Sequence, residues 1–235
     1  ELNDNFSFNP NKSLNLFKKN MKIKNIKFAH DEKNLILDNL NLKIEKNDIL
    51  GICGETGSGK STLVDIICGF RYPNSGSIFF DENNVNLAGT HLLNTSYVSQ
   101  NISLIEGSIK ENIAFGVNKE KIDEQMIIQS LKDAKIYDFV NQLPDKLNSN
   151  LFELASNLSG GQKQRFSIAR AYYFAADIII MDEPTSALDP RTIKDLIDIL
   201  KNKGKTVIII SHDEHTLDIC NKIFKIENKS LKQLK

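Results

Sequence analysis

The chain has 235 residues, 40% of them hydrophobic, which bounds it to one large domain or two small ones with apolar mass enough for a core. Lys+Arg and Asp+Glu number 30 each, and a formal net charge of zero leaves no electrostatic footprint for nucleic acid or an anionic membrane surface. Cys53, Cys68 and Cys220 are scattered without CxxC spacing, as in a reducing compartment, and no apolar run reaches the roughly 18 residues a membrane helix requires.

Residues 1–20 are rich in Asn and Lys, contain Pro10 and show no clear period. They read as a linker or tail, with a short helix around 14–18. The first methionine is Met21, so the expectation is a fragment or processed product whose membrane segment, if any, lies elsewhere. From there Ile23-x-x-Ile26-x-Phe28 suggests a strand, and Leu40-x-Leu42-x-Ile44 alternates more clearly. Lys46-Asn47-Asp48 supplies a turn, with Asn47 suited to a left-handed conformation. The apolar stretch 49–53 is a third strand, and a helix follows from about 60 to 69. Strands at 76–80 and 96–99 come next, then candidate helices near 108–115, 119–133 and 135–142. A helix over 161–175 leads into the apolar run 178–181, a helix over 191–202 into the strand 206–210, and a last helix covers 214–220. The two late apolar runs lack alternation, as parallel strands buried on both faces do. The succession predicts an α/β core carrying a helical insertion.

Two features of this order carry chemistry. Gly54-Glu55-Thr56-Gly57-Ser58-Gly59-Lys60-Ser61-Thr62 stands between a strand and a helix, the pattern of a phosphate-binding loop. Glycines allow backbone N–H groups to turn toward a phosphate, and the helix N-terminus adds partial positive charge. In that pattern Lys60 reaches the β- and γ-phosphates and the Ser61 hydroxyl ligates Mg²⁺, so the chain binds a nucleoside triphosphate. The second feature is Ile178-Ile179-Ile180-Met181-Asp182-Glu183, an apolar strand ending in two acids. Strand C-termini line the ligand crevice of a parallel sheet, which assigns Asp182 to Mg²⁺ and Glu183 to a water in line with the γ-phosphate. Alone, such a pair is also a solvated strand end.

Leu158-Ser159-Gly160-Gly161-Gln162 is a second anion-receptive helix terminus, and a monomer has no evident need of two. With this pentapeptide the chain resembles the ATP-binding cassette (ABC) ATPases over about residues 21–230. The motifs follow the family's order: phosphate loop, Gln100, signature, Asp182-Glu183, Ser186-Ala187-Leu188-Asp189 and His212. The resemblance implies a P-loop NTPase core with a mostly parallel sheet, an N-terminal antiparallel β subdomain and a helical signature subdomain at about 101–165, within a domain spanning 21–235. It further implies ATP and Mg²⁺ as cofactors and a head-to-tail dimer. Each nucleotide then lies between one copy's phosphate loop and the other's Ser159, Gly160, Gly161 and Gln162. Gln100 matches the loop glutamine that ligates Mg²⁺ and senses the transmembrane partner. His212 matches the switch histidine that contacts the γ-phosphate and helps orient Glu183, although such a residue alone is more often a satisfied strand-end histidine. Asp189 matches a residue that communicates across the dimer. Where the family carries a base-stacking aromatic residue this chain has His30, with less stacking area than tyrosine, while Phe28 reads as core. Lys163 and Arg165 read as a mostly solvated face.

The segment from Tyr97 through Gln100 to Leu104, followed by Gly107–Ile113, resembles the exporter subtype, whose cassette is fused after a membrane domain. Glu153 stands where exporters carry a coupling acid, whereas Phe152 and Ala155 replace residues commonly glycine there. The implied setting is the cytoplasmic face of the inner (plasma) membrane, with a transmembrane domain as partner and no nucleic acid. Two other kinds of cassette compete. A chromosome-maintenance cassette needs a long coiled coil, for which residues 101–157 leave no room. A non-hydrolysing or translation-factor-like cassette sits poorly with intact Lys60, Asp182, Glu183 and His212.

Overall fold

The computed structural model describes residues 17–31, 34–81, 83–85, 95–99, 104–184 and 190–235. Its N-terminal part is an antiparallel sheet in the order β2-β1-β4-β5, made of β1 (Asn20–Ala29), β2 (Leu35–Glu45), β4 (Ser75–Phe80) and β5 (Asn83–Val85). The broken period of β1 has a cause in its pairing. Met21 and Ile23 face inward, the register with β2 shifts between Ile23 and Ile26, and Ile26 and Phe28 then face inward again. Asn25 and Asn39 take the left-handed conformation there, at φ 51° and 50°, which asparagine tolerates better than most residues.

The second sheet has the order β10-β9-β3-β8-β7-β6 and contains β3 (Ile49–Gly54), β6 (Thr95–Val98), β7 (Ile178–Asp182), β8 (Thr206–Ile210), β9 (Lys222–Glu227) and β10 (Ser230–Gln233). All its pairings are parallel except β9 with β10. Strands β7 and β8 supply both faces. Ile178, Ile180, Ile208 and Ile210 pack with α1 (Lys60–Ile67) and the antiparallel sheet. Ile179, Met181, Val207 and Ile209 pack toward the helices on the other side. Period-two geometry thus splits one continuous apolar run between two cores.

Between β6 and β7 lies the helical part: α2 (Ile109–Ile113), α3 (Glu124–Asp133), α4 (Tyr137–Asn141), α5 (Leu151–Leu154) and α6 (Gly160–Tyr173). Helix α7 (Pro190–Asn202) precedes β8, and α8 (Glu214–Asp218) follows it. The helix expected over 119–133 is divided, because Asp123 accepts hydrogen bonds from the Gln125 and Met126 amides and caps α3 there. The hairpin of β9 and β10 was not expected from the pattern. Neither was the burial of Phe17, which is 1% exposed within the stretch read as a linker. Asp81 ties that stretch down by accepting from the amides of Lys18, Lys19 and Asn20 at 2.7, 2.7 and 2.8 Å.

Candidate active site

The loop after β3 is shaped by its own cation. Lys60 donates from Nζ to the carbonyls of Gly54 and Glu55, at 2.8 and 2.9 Å, which pulls the loop around the ammonium. Gly59, at φ 103°, forms the N-cap of α1, and a side chain there would strike Leu37 and Ile36 at 2.9 and 3.0 Å. Gly54, at φ 148°, is barred from a side chain by the Ile226 carbonyl at 2.7 Å. Residues 55–57 and Ser61 are exposed, and Thr62 is half-buried at the first turn of α1. A cleft of about 440 Å³ opens beside the loop, walled by Leu35, Ile36, residues 55–58 and the hairpin residues 225–229. The hairpin wall was missed because nothing in Lys-Ile-Glu-Asn-Lys marks it as lying beside the loop.

The acid end of β7 stands two strands from the loop, with β8 between. Glu183 takes a left-handed backbone, φ 46°, and donates its N–H to the Ile210 carbonyl at 2.9 Å. This turns the residue out of the sheet at the strand end. Its Oε1 lies 2.9 Å from His212 Nδ1, with 19% of the Glu183 side chain and 81% of the His212 side chain exposed. A carboxylate has no proton to give, so Nδ1–H is the donor and Nε2 is left to face other groups. Asp182 is half-buried and accepts a hydrogen bond from the Tyr97 hydroxyl. Burial pushes that phenol well above its ordinary range, and the bond to Asp182 adds to the shift.

Ser159 is the N-cap of α6. Its Oγ accepts from Gln162 N at 3.2 Å, and Gln162 Oε1 accepts from Ser159 N at 2.8 Å, a complete capping box. The glutamine side chain is therefore folded back on its own helix end, and the first-turn amides of Gly160, half-buried, and Gly161, buried, lie outside the helix's own hydrogen-bond ladder. No hydrogen bond or ion pair among the described residues joins Ser159–Gln162 to the phosphate loop of the same chain. Two residues further along α6, Gln164 is buried and donates to the Pro184 carbonyl at 3.1 Å, linking this helix to the acid strand end. Lys163 and Arg165 are half-buried, and Arg165 donates to the Ala134 carbonyl at 3.4 Å.

His30 is exposed at the end of β1, its ring edge-on to Phe28 at 5.3 Å. Phe28 is buried, under the guanidinium of Arg71. Glu153 is exposed and holds Asn150 Nδ2 at 2.8 Å, while Phe152 is 56% exposed; Asn150 caps the single turn of α5 here. Gln100 and residues 185–189, with Asp189, lie outside the described residues.

Among the described residues no group of three His, Cys, Asp or Glu could hold a metal by itself. Mg²⁺ does not require one, since it binds through one or two protein oxygens with phosphates and waters filling the octahedron. Ser61 and Asp182 are hard oxygen donors of that kind, and the Ser58 hydroxyl in the loop is buried without a partner, as a loop shaped around a polar ligand leaves it. The residues fit a Mg²⁺–nucleotide.

A glycine loop closed by a lysine, an acid pair ending a parallel strand and a histidine on that pair define a P-loop nucleotide-binding domain. The ABC transporter family model matches residues 37–186. A probable ABC transporter ATP-binding/permease protein of Haemophilus influenzae is 37% identical over 210 residues, covering 88% of this chain and 38% of its own length. An ATP-dependent lipid A-core flippase of Francisella tularensis is 38% identical over 212 residues, covering 87% and 34%. A lactococcin-G-processing and transport ATP-binding protein of Lactococcus lactis is 35% identical over 222 residues, covering 93% and 31%. Among solved structures, a bacterial Atm1-family ABC exporter with ATP bound superposes with a TM-score of 0.77 at 28% identity, over 92% of this chain and 38% of that one. The chain belongs to the ABC transporter family and corresponds to its ATPase domain. It spans about a third of the length of the curated relatives it matches.

Proposed function

We propose that this domain is the ATP-hydrolysing motor of a membrane exporter. The observation that carries the reading is the Glu183–His212 contact of 2.9 Å beside Asp182, at the strand ends that face a phosphate loop. Lys60 and the loop amides bind the β- and γ-phosphates, and His30 covers the base. Ser61, Asp182 and Gln100 would hold Mg²⁺, which would supply neutralisation of the charge on the transferred phosphoryl group. Glu183 takes the proton of the attacking water. The Nδ1–H of His212 holds that carboxylate in place, and Nε2 turns to the γ-phosphate.

The start of α6 has first-turn amides outside the helix's own ladder and, among the described residues, no hydrogen bond or ion pair to the phosphate loop of its own chain, which supports a head-to-tail dimer in which Ser159–Gln162 of one copy close the site of the other. The relatives named as ATP-binding/permease protein and flippase support a transmembrane domain as the working partner and the cytoplasmic face of the plasma membrane as the place of action. The cargoes in the names of such relatives differ, lipid A-core in one and lactococcin G in another, at similar identity to this chain. The domain is thus the shared engine, and cargo choice belongs to other parts of such proteins.

The test is steady-state hydrolysis with ATP binding measured alongside. Glu183→Gln keeps ATP binding and loses most turnover, and Lys60→Ala weakens binding itself. Turnover of the glutamine variant near the unsubstituted rate would remove Glu183 from its role.

A further inference from the structure

Strand β6 is the outermost strand of the core sheet beside β7. Its register places Tyr97 opposite Ile180 and Val98 opposite Met181. Asp182 lies two residues beyond Ile180, on the same face, about 6.6 Å along the strand. A tyrosine side chain spans that distance, and the Tyr97 hydroxyl donates to Oδ2 of Asp182. No shorter donor at this position could reach.

The contact does little for the fold. Tyr97 is 44% exposed and belongs to neither hydrophobic core. Its hydroxyl bonds to the acid assigned to the metal. A carboxylate at a strand end otherwise rotates between staggered positions. A donor fixed to Oδ2 selects one of them and leaves Oδ1 for a cation or its water.

We propose that Tyr97 is a positioning residue that holds Asp182 in a single orientation and thereby sets the Mg²⁺ concentration at which nucleotide binding becomes metal-dependent. The proposal rests on the reading of Asp182 as the metal acid.

Tyr97→Phe removes one oxygen and keeps the ring. The readout is binding of a non-hydrolysable ATP analogue, titrated with Mg²⁺ and repeated in EDTA, with thermal melting as a check on folding. Loss of one positioning hydrogen bond should raise the half-saturating Mg²⁺ about 2- to 12-fold, with binding in EDTA and the melting midpoint unchanged. Asp182→Ala should raise it further, and adding Tyr97→Phe to that variant should change nothing more, because the partner is gone. An unchanged or lower Mg²⁺ requirement in Tyr97→Phe, with Asp182→Ala raising it, overturns the positioning role alone. Equal effects of Tyr97→Phe in both backgrounds overturn it too. An Asp182→Ala protein with unaltered Mg²⁺ dependence instead overturns the metal assignment of Asp182, and this proposal with it.

Discussion

The ring of His30 meets Phe28 at its edge, 5.3 Å away at 84°, and the residue is exposed at the end of β1. An imidazole offers a base a smaller and more polar face than a phenol ring does. His30→Tyr should therefore tighten ATP binding, since aromatic pairs contribute about 0.5–1.5 kcal/mol beyond burial, or roughly 2- to 12-fold in Kd. His30→Ala should weaken binding modestly and leave hydrolysis intact at saturating ATP, because the phosphates engage the loop and Lys60 regardless. Calorimetric titration of the three proteins decides it, and equal affinities would make His30 a loop residue with no part in base recognition. At this scale the sequence was informative wherever chemistry sits at fixed short spacing, as in residues 54–62, 159–162 and 182–183. It could not reveal the Tyr97–Asp182 contact, whose partners are 85 positions apart and meet only because β6 lies beside β7. The inward fold of Gln162 likewise depends on capping geometry that the pentapeptide permits without dictating.

At the scale of elements, glycine and charge marked the ends of β3 and β7 and the start of α6, and those boundaries fell within a residue or two of the reading. The hairpin of β9 and β10 escaped because Lys222, Lys225 and Glu227 interrupt its apolar pattern. Its turn also uses Asn228 and Lys229 at φ 50° and 65° where a glycine would have signalled it. The turn of α5 escaped because the family's expected glycines are replaced by Phe152 and Ala155, and Asn150 then caps a helical turn. The N-terminal strand has its own anchor in Asp81, whose carboxylate collects three amides of residues 18–20. Hydrogen bonds to a charged acceptor are worth more than neutral ones, so Asp81→Ala should cost about 1.5–3 kcal/mol of stability. Urea unfolding measures this, and a loss below about 0.5 kcal/mol would mean that Phe17 burial alone fastens the segment.

The whole molecule presents two helix starts preceded by glycine or serine, α1 behind the phosphate loop and α6 behind Ser159. The phosphate loop and the acids of β7 lie at one end of the core sheet, and the capped start of α6 makes no hydrogen bond or ion pair to that loop among the described residues. A site completed by a second copy, with the nucleotides as its main adhesive, predicts a protein that is largely monomeric without ATP. It also predicts that trapping ATP, rather than raising protein concentration, drives pairing. The direct measurement is size-exclusion chromatography with light scattering on Glu183→Gln, which is expected to hold ATP without consuming it. The account predicts a monomer without nucleotide and a dimer with Mg²⁺ and ATP. It also predicts loss of that dimer when Ser159→Arg is added, since the arginine places bulk and an unpaired charge between loop and signature. An ATP-induced dimer that Ser159→Arg leaves intact would contradict the shared site.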